Sequence, residues 1–574
     1  MIRVSRSIIF EIAWVLLAAL LALASAWVAL DLSNANWNVP FYYGQQGGDE
    51  FWIYLLVKNL CTTGQWYTSD RVGFPLGMVM YDFPLTEALH VALLWVMARL
   101  TDNFAFVVNT YYVGYFPMAA ISASVVLRAL GVSRGVVVVL ALAYAVQPFV
   151  FYRGQAHLFV GGLFVVPPVC LVCVWLMQTP IRLKSWRFAI ALSAMMIAAA
   201  SGVYYMAFSV AFVMTAACLG VVRTEVGWRG LRIPATLCAA AVMTTFLCTL
   251  PTTLYRIENG PNAAIMVRHP YAADVYGLRV ASLVLPTRGH RLDRIDAARD
   301  GYGTEFRLNY ENDRTPLGLL GVMGLCLLAW QLIKCATGRP HDTRQANLAL
   351  LCVAAIVVAS VGGLATIFTY FVTPNIRVPA RVSSYILFFC LLGVASVMDR
   401  QTMRLTARYG IAAAIAFLVS VGLIAMFDQT SPRWAPAHAK IISQWKSDAD
   451  FVANIESTLP RGAAIFQYPM MTYLEGPYIG AISNYDLFRG YLHSDALKWS
   501  HGAVAGRGIE MWRRRISTNP VEALPTLRRE GFAGIYYDRR AQLGEAFEAQ
   551  LKSAAQGPMI VSPDGQLVFV PIGK

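Results

Sequence analysis

The chain has 574 residues, of which 57% are hydrophobic and only 14% are charged, and its mean hydropathy is +0.51. This composition is typical of a membrane protein with many spans and excludes an ordinary soluble enzyme. The formal net charge of +14 does not indicate a nucleic-acid-binding protein. The Lys and Arg residues recur in short loops between apolar segments, where they orient a protein in the membrane.

The first apolar segment, residues 8–31, is long enough to cross a bilayer, and Arg3 and Arg6 before it predict a cytoplasmic N-terminus. Its apolar run is longer than a signal-peptide core, and no convincing small-x-small cleavage site follows it. We therefore expect a retained anchor, with the loop at 32–104 on the outer face.

Two carboxylates, Asp49 and Glu50, stand in this outer loop, in the run Gly47 to Phe51. Further along the loop, Leu85 to Leu100 is apolar but short. Counting it as a span would move every later basic loop to the outside, so we predict an amphipathic or re-entrant helix there.

Eleven spans are predicted in all, and the loops that this scheme places inside are all basic. The C-terminus is then outside. The run at 188–222 could instead be one long tilted helix, which would change this parity. The predicted spans are 8–31, 105–127, 135–152, 158–177, 188–203, 204–222, 233–254, 316–335, 347–366, 382–398 and 409–427.

After Phe427 the composition changes, and polar segments alternate with predicted helices and with predicted strands at 463–468, 533–537 and 566–570. We predict a transmembrane domain at 1–427 and a soluble α/β domain at 428–574 on the outer face. The fold class is thus mainly α: a polytopic helical membrane protein of about 11 transmembrane helices with a C-terminal extracytoplasmic α/β domain. The ten Cys residues imply no disulfide framework, since all but Cys61 lie in or beside apolar segments.

Polar groups collect in the segments predicted to be outside. A cavity lined by an ionised carboxylate, a His and several Arg would suit a substrate with hydroxyls to deprotonate and phosphates to hold. The candidate residues are Asp49, Glu50, Arg153, His157, Arg268, His269, Arg377 and Arg381.

The layout resembles the GT-C superfamily of polytopic membrane glycosyltransferases. The resemblance rests on the acidic motif at 48–51, the runs Gly73 to Gly77 and Asp82 to Leu85, the turn Arg153 to His157 and the outer C-terminal domain. The runs at 73–85 and 377–381 also look like those of bacterial YfhO-type membrane proteins. Members of the superfamily generally take sugars from lipid-linked phosphate donors on the non-cytoplasmic face.

This resemblance implies an inverting sugar transfer in which Asp49 is the general base, with Glu50 as the alternative base. Arg377 and Arg381 would hold the phosphate of a polyprenyl-phosphate sugar donor. The acceptor would be a glycan, lipid or protein of the cell envelope, and membrane lipids would surround the enzyme in the bacterial inner membrane. The C-terminal domain would be periplasmic. No cofactor and no nucleic acid are implied. A divalent cation is possible but unsupported, because the outer acids are too scattered to define a ligand set for it.

Other interpretations stay open for the same residues. Asp49 and Glu50 could be the solvated first turn of an interfacial helix, and Arg377 and Arg381 could meet lipid headgroups. The chain could instead be a transporter or flippase for lipid-linked sugars, although its charges lie in outer loops rather than inside spans. It could also be a non-catalytic assembly partner. The absence of a nucleotide-binding motif argues against an ATP-driven pump.

Overall fold

A computed structural model describes residues 6–179, 181–223, 227–513, 515–516 and 519–573. The chain is mainly helical. Its helices are α1 Arg6–Ala29, α2 Asp49–Thr63, α3 Ala88–Ala98, α4 Phe104–Ala129, α5 Arg134–Ala145, α6 Pro148–Arg153, α7 Val166–Gln178, α8 Trp186–Ala200, α9 Val203–Arg223, α10 Arg232–Cys248, α11 Leu250–Asn259, α12 Ala272–Val275, α13 Val280–Val284, α14 Asp293–Glu305, α15 Gly318–Ala336, α16 Thr343–Ala359, α17 Leu364–Phe371, α18 Ser383–Tyr409, α19 Ile411–Gln429, α20 His438–Thr458, α21 Arg489–His493, α22 Ile509–Arg513, α23 Pro520–Arg529 and α24 Glu545–Ala554.

Each of the eleven segments predicted to span the membrane contains a helix. Within the described ranges, eight helical segments are long and apolar enough to cross a bilayer, and three of the shorter apolar helices, Leu163–Gln178, Trp186–Ala200 and Thr343–Ala359, fall in the other predicted spans. The run at 188–222 forms two helices, α8 and α9, with a break at Ser201 and Gly202. The single tilted helix is therefore excluded.

Helix α3 corresponds to the doubtful apolar segment of the first outer loop. Its eleven residues extend ~16 Å, well short of the ~30 Å hydrocarbon core of a bilayer. His90 and Leu94 face the protein interior, but Trp95 and Val96 on the other side are exposed. This helix is therefore too short to cross a bilayer, and its assignment as an amphipathic or re-entrant helix stays a prediction.

One end of the helical bundle gathers the basic turns. Arg128, after α4, and Arg134, at the start of α5, both pair with Glu11 of α1, with N–O distances of 2.8 and 2.6 Å. The backbone N–H of Ser133 donates to Asp399 in α18 at 3.2 Å. These contacts place the first turns of α1 and two of the predicted inner loops together, as the predicted topology requires.

The part of the chain that follows α19, called the C-terminal segment below, forms a five-stranded sheet of order β4-β3-β5-β7-β6, which confirms the predicted α/β class. Strand β3 is parallel to β4 and β5, and β7 is antiparallel to β5 and β6. The predicted strands at 463–468, 533–537 and 566–570 correspond to β3, β5 and β7. The strands are β1 Thr68–Ser69 and β2 Met78–Val79 in the first outer loop, then β3 Ala464–Tyr468, β4 Lys498–Trp499, β5 Phe532–Asp538, β6 Ile560–Val561 and β7 Leu567–Pro571.

This C-terminal segment packs directly on the first outer loop. Val72 forms a parallel bridge with Trp499, and the backbone N–H of Gly73 donates to the carbonyl of His501 at 2.8 Å. The buried ammonium of Lys58, in α2, donates to three main-chain carbonyls of the segment 491–494 at 2.9 to 3.1 Å. The loop that carries Asp49 and the C-terminal segment therefore hold each other in place.

Candidate active site

Helix α2 begins at a tight turn that two glycines make possible. Gly47 and Gly48 have φ angles of +78° and +94°, a conformation that other residues rarely adopt. The carboxylate of Glu50 closes this turn by accepting hydrogen bonds from the backbone N–H groups of Gln46 and Gly48, at 3.1 and 3.0 Å. The glycine pair and the acid together therefore define where the helix starts.

Glu50 itself does not reach the cavity that Asp49 faces. Its side chain is fully buried, and this burial raises the pKa of Glu50 to about 7 in spite of its two backbone hydrogen bonds. A carboxylate enclosed in the turn has no room for a substrate hydroxyl. The structure thus does not support Glu50 as the alternative base, because it holds the turn instead.

Asp49, the first residue of α2, lines a polar cavity of about 690 Å³ that is formed by α2, by loops between the helices and by the C-terminal segment. It is exposed within this cavity and makes no ion pair among the described residues. Partial burial raises the pKa of Asp49, the nearby charge of Glu475 raises it further, and Arg314 opposes both. The arrangement favours a carboxylate that accepts a proton readily.

Three more of the predicted residues, His157, Arg268 and Arg377, line the same cavity. Burial, helped by the charges of neighbouring arginines, lowers the pKa of His157 well below its usual value, so this imidazole is neutral. The guanidinium of Arg377 lies over the ring of Tyr276, with its carbon 6.0 Å from the ring centre. These predicted residues therefore present a carboxylate, a neutral imidazole and two guanidinium groups to a substrate in the cavity.

Arg153 and Arg381 lie behind this cavity, in a buried cluster around Glu311. Arg153 donates to the Glu311 carboxylate through both terminal nitrogens, at 3.0 and 2.5 Å, and each side chain is only 1% exposed. Arg314 and Arg381 approach the same carboxylate at 3.3 and 3.5 Å. Burial alone would raise the pKa of Glu311, but the three arginines hold it well below its usual range.

The Glu311 cluster carries an excess of positive charge. Three guanidinium groups surround one carboxylate, and the Nε atoms of Arg153 and Arg381 are buried without a hydrogen-bond partner among the described residues. A buried cluster with excess positive charge is stabilised by a further anion.

His269, another of the predicted site residues, is exposed, stacks on Tyr271 and does not line the cavity.

The C-terminal segment supplies one wall of the cavity, which sequence reasoning missed. Glu475, Tyr478, Asn484 and Tyr485 line it, all from the segment that follows strand β3. In open α/β sheets, ligand-binding residues collect at the carboxyl ends of parallel strands, and this rule could have identified the segment. Glu311 and Arg314 were also missed, and they lie in a loop without any recognisable motif.

The same segment is fixed to the start of α2. The hydroxyl of Tyr478 donates to the carbonyl of Gly47 at 2.7 Å. A Cβ atom on Gly48 would stand 1.9 Å from the hydroxyl oxygen of Ser483, so the two backbones approach as closely as a glycine permits. The position of Asp49 therefore depends on the C-terminal segment.

An apolar groove of about 660 Å³ runs between α3, α4, α7 and α8. Leu89 and Phe164 line this groove, while their near neighbours Glu87 and Leu163 line a smaller enclosed cavity that also includes Arg381. Neighbouring residues of the chain thus line the apolar groove and the small cavity that includes Arg381.

No family model and no curated protein matches this chain. Among solved structures, ArnT from Cupriavidus metallidurans bound to undecaprenyl phosphate is similar, with a TM-score of 0.52 and 13% identity over 97% of this chain and 98% of that one. The oligosaccharyltransferase of Archaeoglobus fulgidus in its apo form gives a TM-score of 0.46 and 10% identity, over 98% of this chain and 74% of that one. The likeness to ArnT confirms the predicted GT-C fold.

Proposed function

We propose that this chain, which has the GT-C fold, is an inverting glycosyltransferase. It moves a sugar from a polyprenyl-phosphate-linked donor to a glycan, lipid or protein acceptor on the outer face of the bacterial inner membrane. The observation that carries this proposal is the cavity of about 690 Å³ in which Asp49 faces Arg268 and Arg377. A base and two phosphate-binding groups in one cavity are the components that such a transfer needs.

Asp49 acts as the general base in a single in-line displacement. It takes the proton of an acceptor hydroxyl while the hydroxyl oxygen bonds to the anomeric carbon, and the bond from that carbon to the phosphate oxygen breaks. Inversion follows from this one step. The raised pKa of Asp49 supports the role, because it brings the base closer to the pH at which it works.

The leaving polyprenyl phosphate is stabilised by arginines. Arg268 and Arg377 line the cavity, and three further arginines surround the single carboxylate of Glu311 in a buried cluster. Such groups stabilise the charge that develops on a departing phosphate oxygen. The apolar groove beside α3 supports a lipid-linked donor, because its lining offers an apolar surface to a polyprenyl chain. ArnT, which shares the fold, was solved with undecaprenyl phosphate bound.

The acceptor enters against the wall that the C-terminal segment provides. Tyr478, Asn484 and Tyr485 offer hydroxyl, amide and aromatic groups there, which are the usual partners of a molecule rich in hydroxyls. Within the described ranges, no group of three His, Cys, Asp or Glu side chains is arranged to hold a metal ion.

The test is Asp49→Asn, expressed in a strain from which the gene has been deleted. Loss of general-base catalysis should lower transfer by about 10²- to 10⁴-fold, and the lipid-linked precursor should accumulate as it does in the deletion strain. Lipid analysis of that precursor measures the effect and identifies the sugar. Asp70→Asn is the matched control, because Asp70 is an exposed acid of the same outer loop that does not line the cavity.

Wild-type transfer by Asp49→Asn, at equal membrane abundance, would contradict the proposal. It would favour a transporter or a non-catalytic assembly partner, since neither needs a base in this cavity.

A further inference from the structure

The cavity contains a second carboxylate, that of Glu475, which the reaction described above does not use. Arg268 donates to it through both terminal nitrogens, one of them at 2.6 Å from Oε2, so the pair has the parallel two-bond geometry of a guanidinium and a carboxylate. A phosphate presents two oxygens to arginine in the same way. Glu475 therefore occupies the position on Arg268 that suits a phosphate.

We propose that Glu475 is a built-in competitor of the anionic substrate. The phosphate of the polyprenyl-linked donor takes the place of the Glu475 carboxylate on Arg268 when it binds. This inference rests on the proposed function and adds to it a residue that sets the affinity of the site for the donor headgroup.

The surroundings of the pair allow this exchange. The side chains of Arg268 and Glu475 are 13% and 33% exposed, and both line the cavity, so a substrate in the cavity can reach the ion pair. Arg268 comes from the outer loop between α11 and α12, and Glu475 comes from the C-terminal segment. A bond between two surface segments can open without disturbing a hydrophobic core.

The main chain at Glu475 is held independently of its carboxylate. The amide of Asn484, in the orientation that satisfies both of its ends, accepts from the backbone N–H groups of Glu475 and Gly476 at 3.1 and 3.2 Å. The side chain can therefore rotate away from Arg268 while the backbone stays in place.

The charge balance also favours the exchange. Arg268 and Arg377 both face the cavity, and Arg377 makes no ion pair among the described residues. Once Glu475 has moved aside, two guanidinium groups are available to the phosphate, which carries one negative charge in the sugar-linked donor and up to two in the polyprenyl phosphate that is released. With Glu475 in place, only one of them is free.

The experiment is a direct binding titration of undecaprenyl phosphate to the purified full-length protein in detergent, with undecaprenol as the uncharged probe. Glu475→Gln keeps the shape of the side chain and removes its charge. We expect it to tighten undecaprenyl phosphate binding about two- to tenfold and to leave undecaprenol binding unchanged. Arg268→Gln should weaken undecaprenyl phosphate binding about tenfold.

The double variant separates exchange from general electrostatics. If phosphate and Glu475 compete for Arg268, Glu475→Gln should have almost no effect in the Arg268→Gln background. Asp49→Asn removes an equal charge from the same cavity without freeing Arg268, so its smaller effect measures the general contribution of charge. Glu545→Gln, an exposed acid in the same domain, should change nothing.

Two results would overturn the inference. If the effects of Glu475→Gln and Arg268→Gln simply add in the double variant, there is no exchange, although the transferase proposal survives. If the wild-type protein binds undecaprenyl phosphate no better than undecaprenol, both the exchange and the proposed function fail.

Discussion

Two adjacent acids at the start of α2 have separate roles because neighbouring helix residues point about 100° apart. Asp49 faces the cavity, while Glu50 points into the turn and accepts two backbone hydrogen bonds. Burial raises the pKa of both groups. Only Asp49 combines a raised pKa with access to a substrate, so a raised pKa alone would not have identified the base.

The pH dependence of transfer should report on Asp49. The base works only when it is ionised, so activity should rise with pH through the pKa of Asp49, and this acid limb should lie above that of an ordinary aspartate. Glu475 contributes to the raised pKa through its negative charge. Glu475→Gln should therefore move the acid limb of the kcat/KM profile to lower pH.

Glu545→Gln serves as the control for this profile, because its carboxyl is exposed and does not line the cavity. Its acid limb should coincide with that of the wild type. A limb that moves to higher pH in Glu475→Gln would contradict the assignment of Asp49 as the base.

A residue of the site could be predicted from the sequence when its type and its predicted side of the membrane were enough to mark it as a candidate. Asp49, His157, Arg268 and Arg377 line the cavity as expected. Glu311 could not have been found, because its importance comes from contacts with arginines that are distant in sequence. Arg153, for example, lies 158 residues before it.

At the scale of elements, the start of α2 and the C-terminal segment behave as one unit, and Gly48→Ala tests this. The new Cβ would meet the Ser483 hydroxyl at 1.9 Å, in a backbone conformation with φ of +94°. We expect Gly48→Ala to lose thermal stability. We also expect transfer per folded molecule to fall, since the C-terminal segment or Asp49 must shift to make room for the new Cβ atom. Thermal unfolding in detergent and precursor analysis measure the two effects.

Gly531→Ala is the matched control. Gly531 has a similar φ of +86°, but a Cβ there meets nothing within 4 Å. The free energy of unfolding of Gly531→Ala should fall by only about 1 to 2 kcal/mol, because alanine is strained in a left-handed conformation. Transfer per folded molecule should be unchanged. Equal losses of transfer in the two variants would show that the contact with Ser483 does not position Asp49.

Most elements were predictable because apolar length and basic loops are local signals. The two helices at 188–222 and the strands β3, β5 and β7 follow such signals. The surroundings of Glu87 and His90, at the start of helix α3, did not follow from such signals. In fact both turn inward, where His90 contacts the Tyr111 hydroxyl at 2.7 Å and Glu87 accepts from Thr86. Buried polar pairs of this kind carry no pattern in the sequence.

At the scale of the whole molecule, the cavity exists only because the C-terminal segment packs on the first outer loop. The sequence places both on the same side of the membrane, but it does not reveal their contact. Arg507, in the C-terminal segment, pairs with the buried Asp82 of the outer loop at 2.6 Å, across 425 residues. A contact so distant along the chain has no local signature.

The two ends of the helical bundle predict the orientation of the protein in the membrane. Glu11, Arg128 and Arg134 meet at one end, and at the other the ring of His438 lies 2.9 Å from the carbonyl of Leu30, just after α1. The basic end should be cytoplasmic by the positive-inside rule.

Reporter fusions test this orientation. Alkaline phosphatase fused after residue 573 should be active, and a fluorescent reporter inserted at 337–342 should be bright. Swapping the two reporters is the control, and each should then be silent. Phosphatase activity from the 337–342 position would mean that the basic loops lie outside, which would move Asp49 and its cavity to the cytoplasmic face and remove the proposed periplasmic reaction.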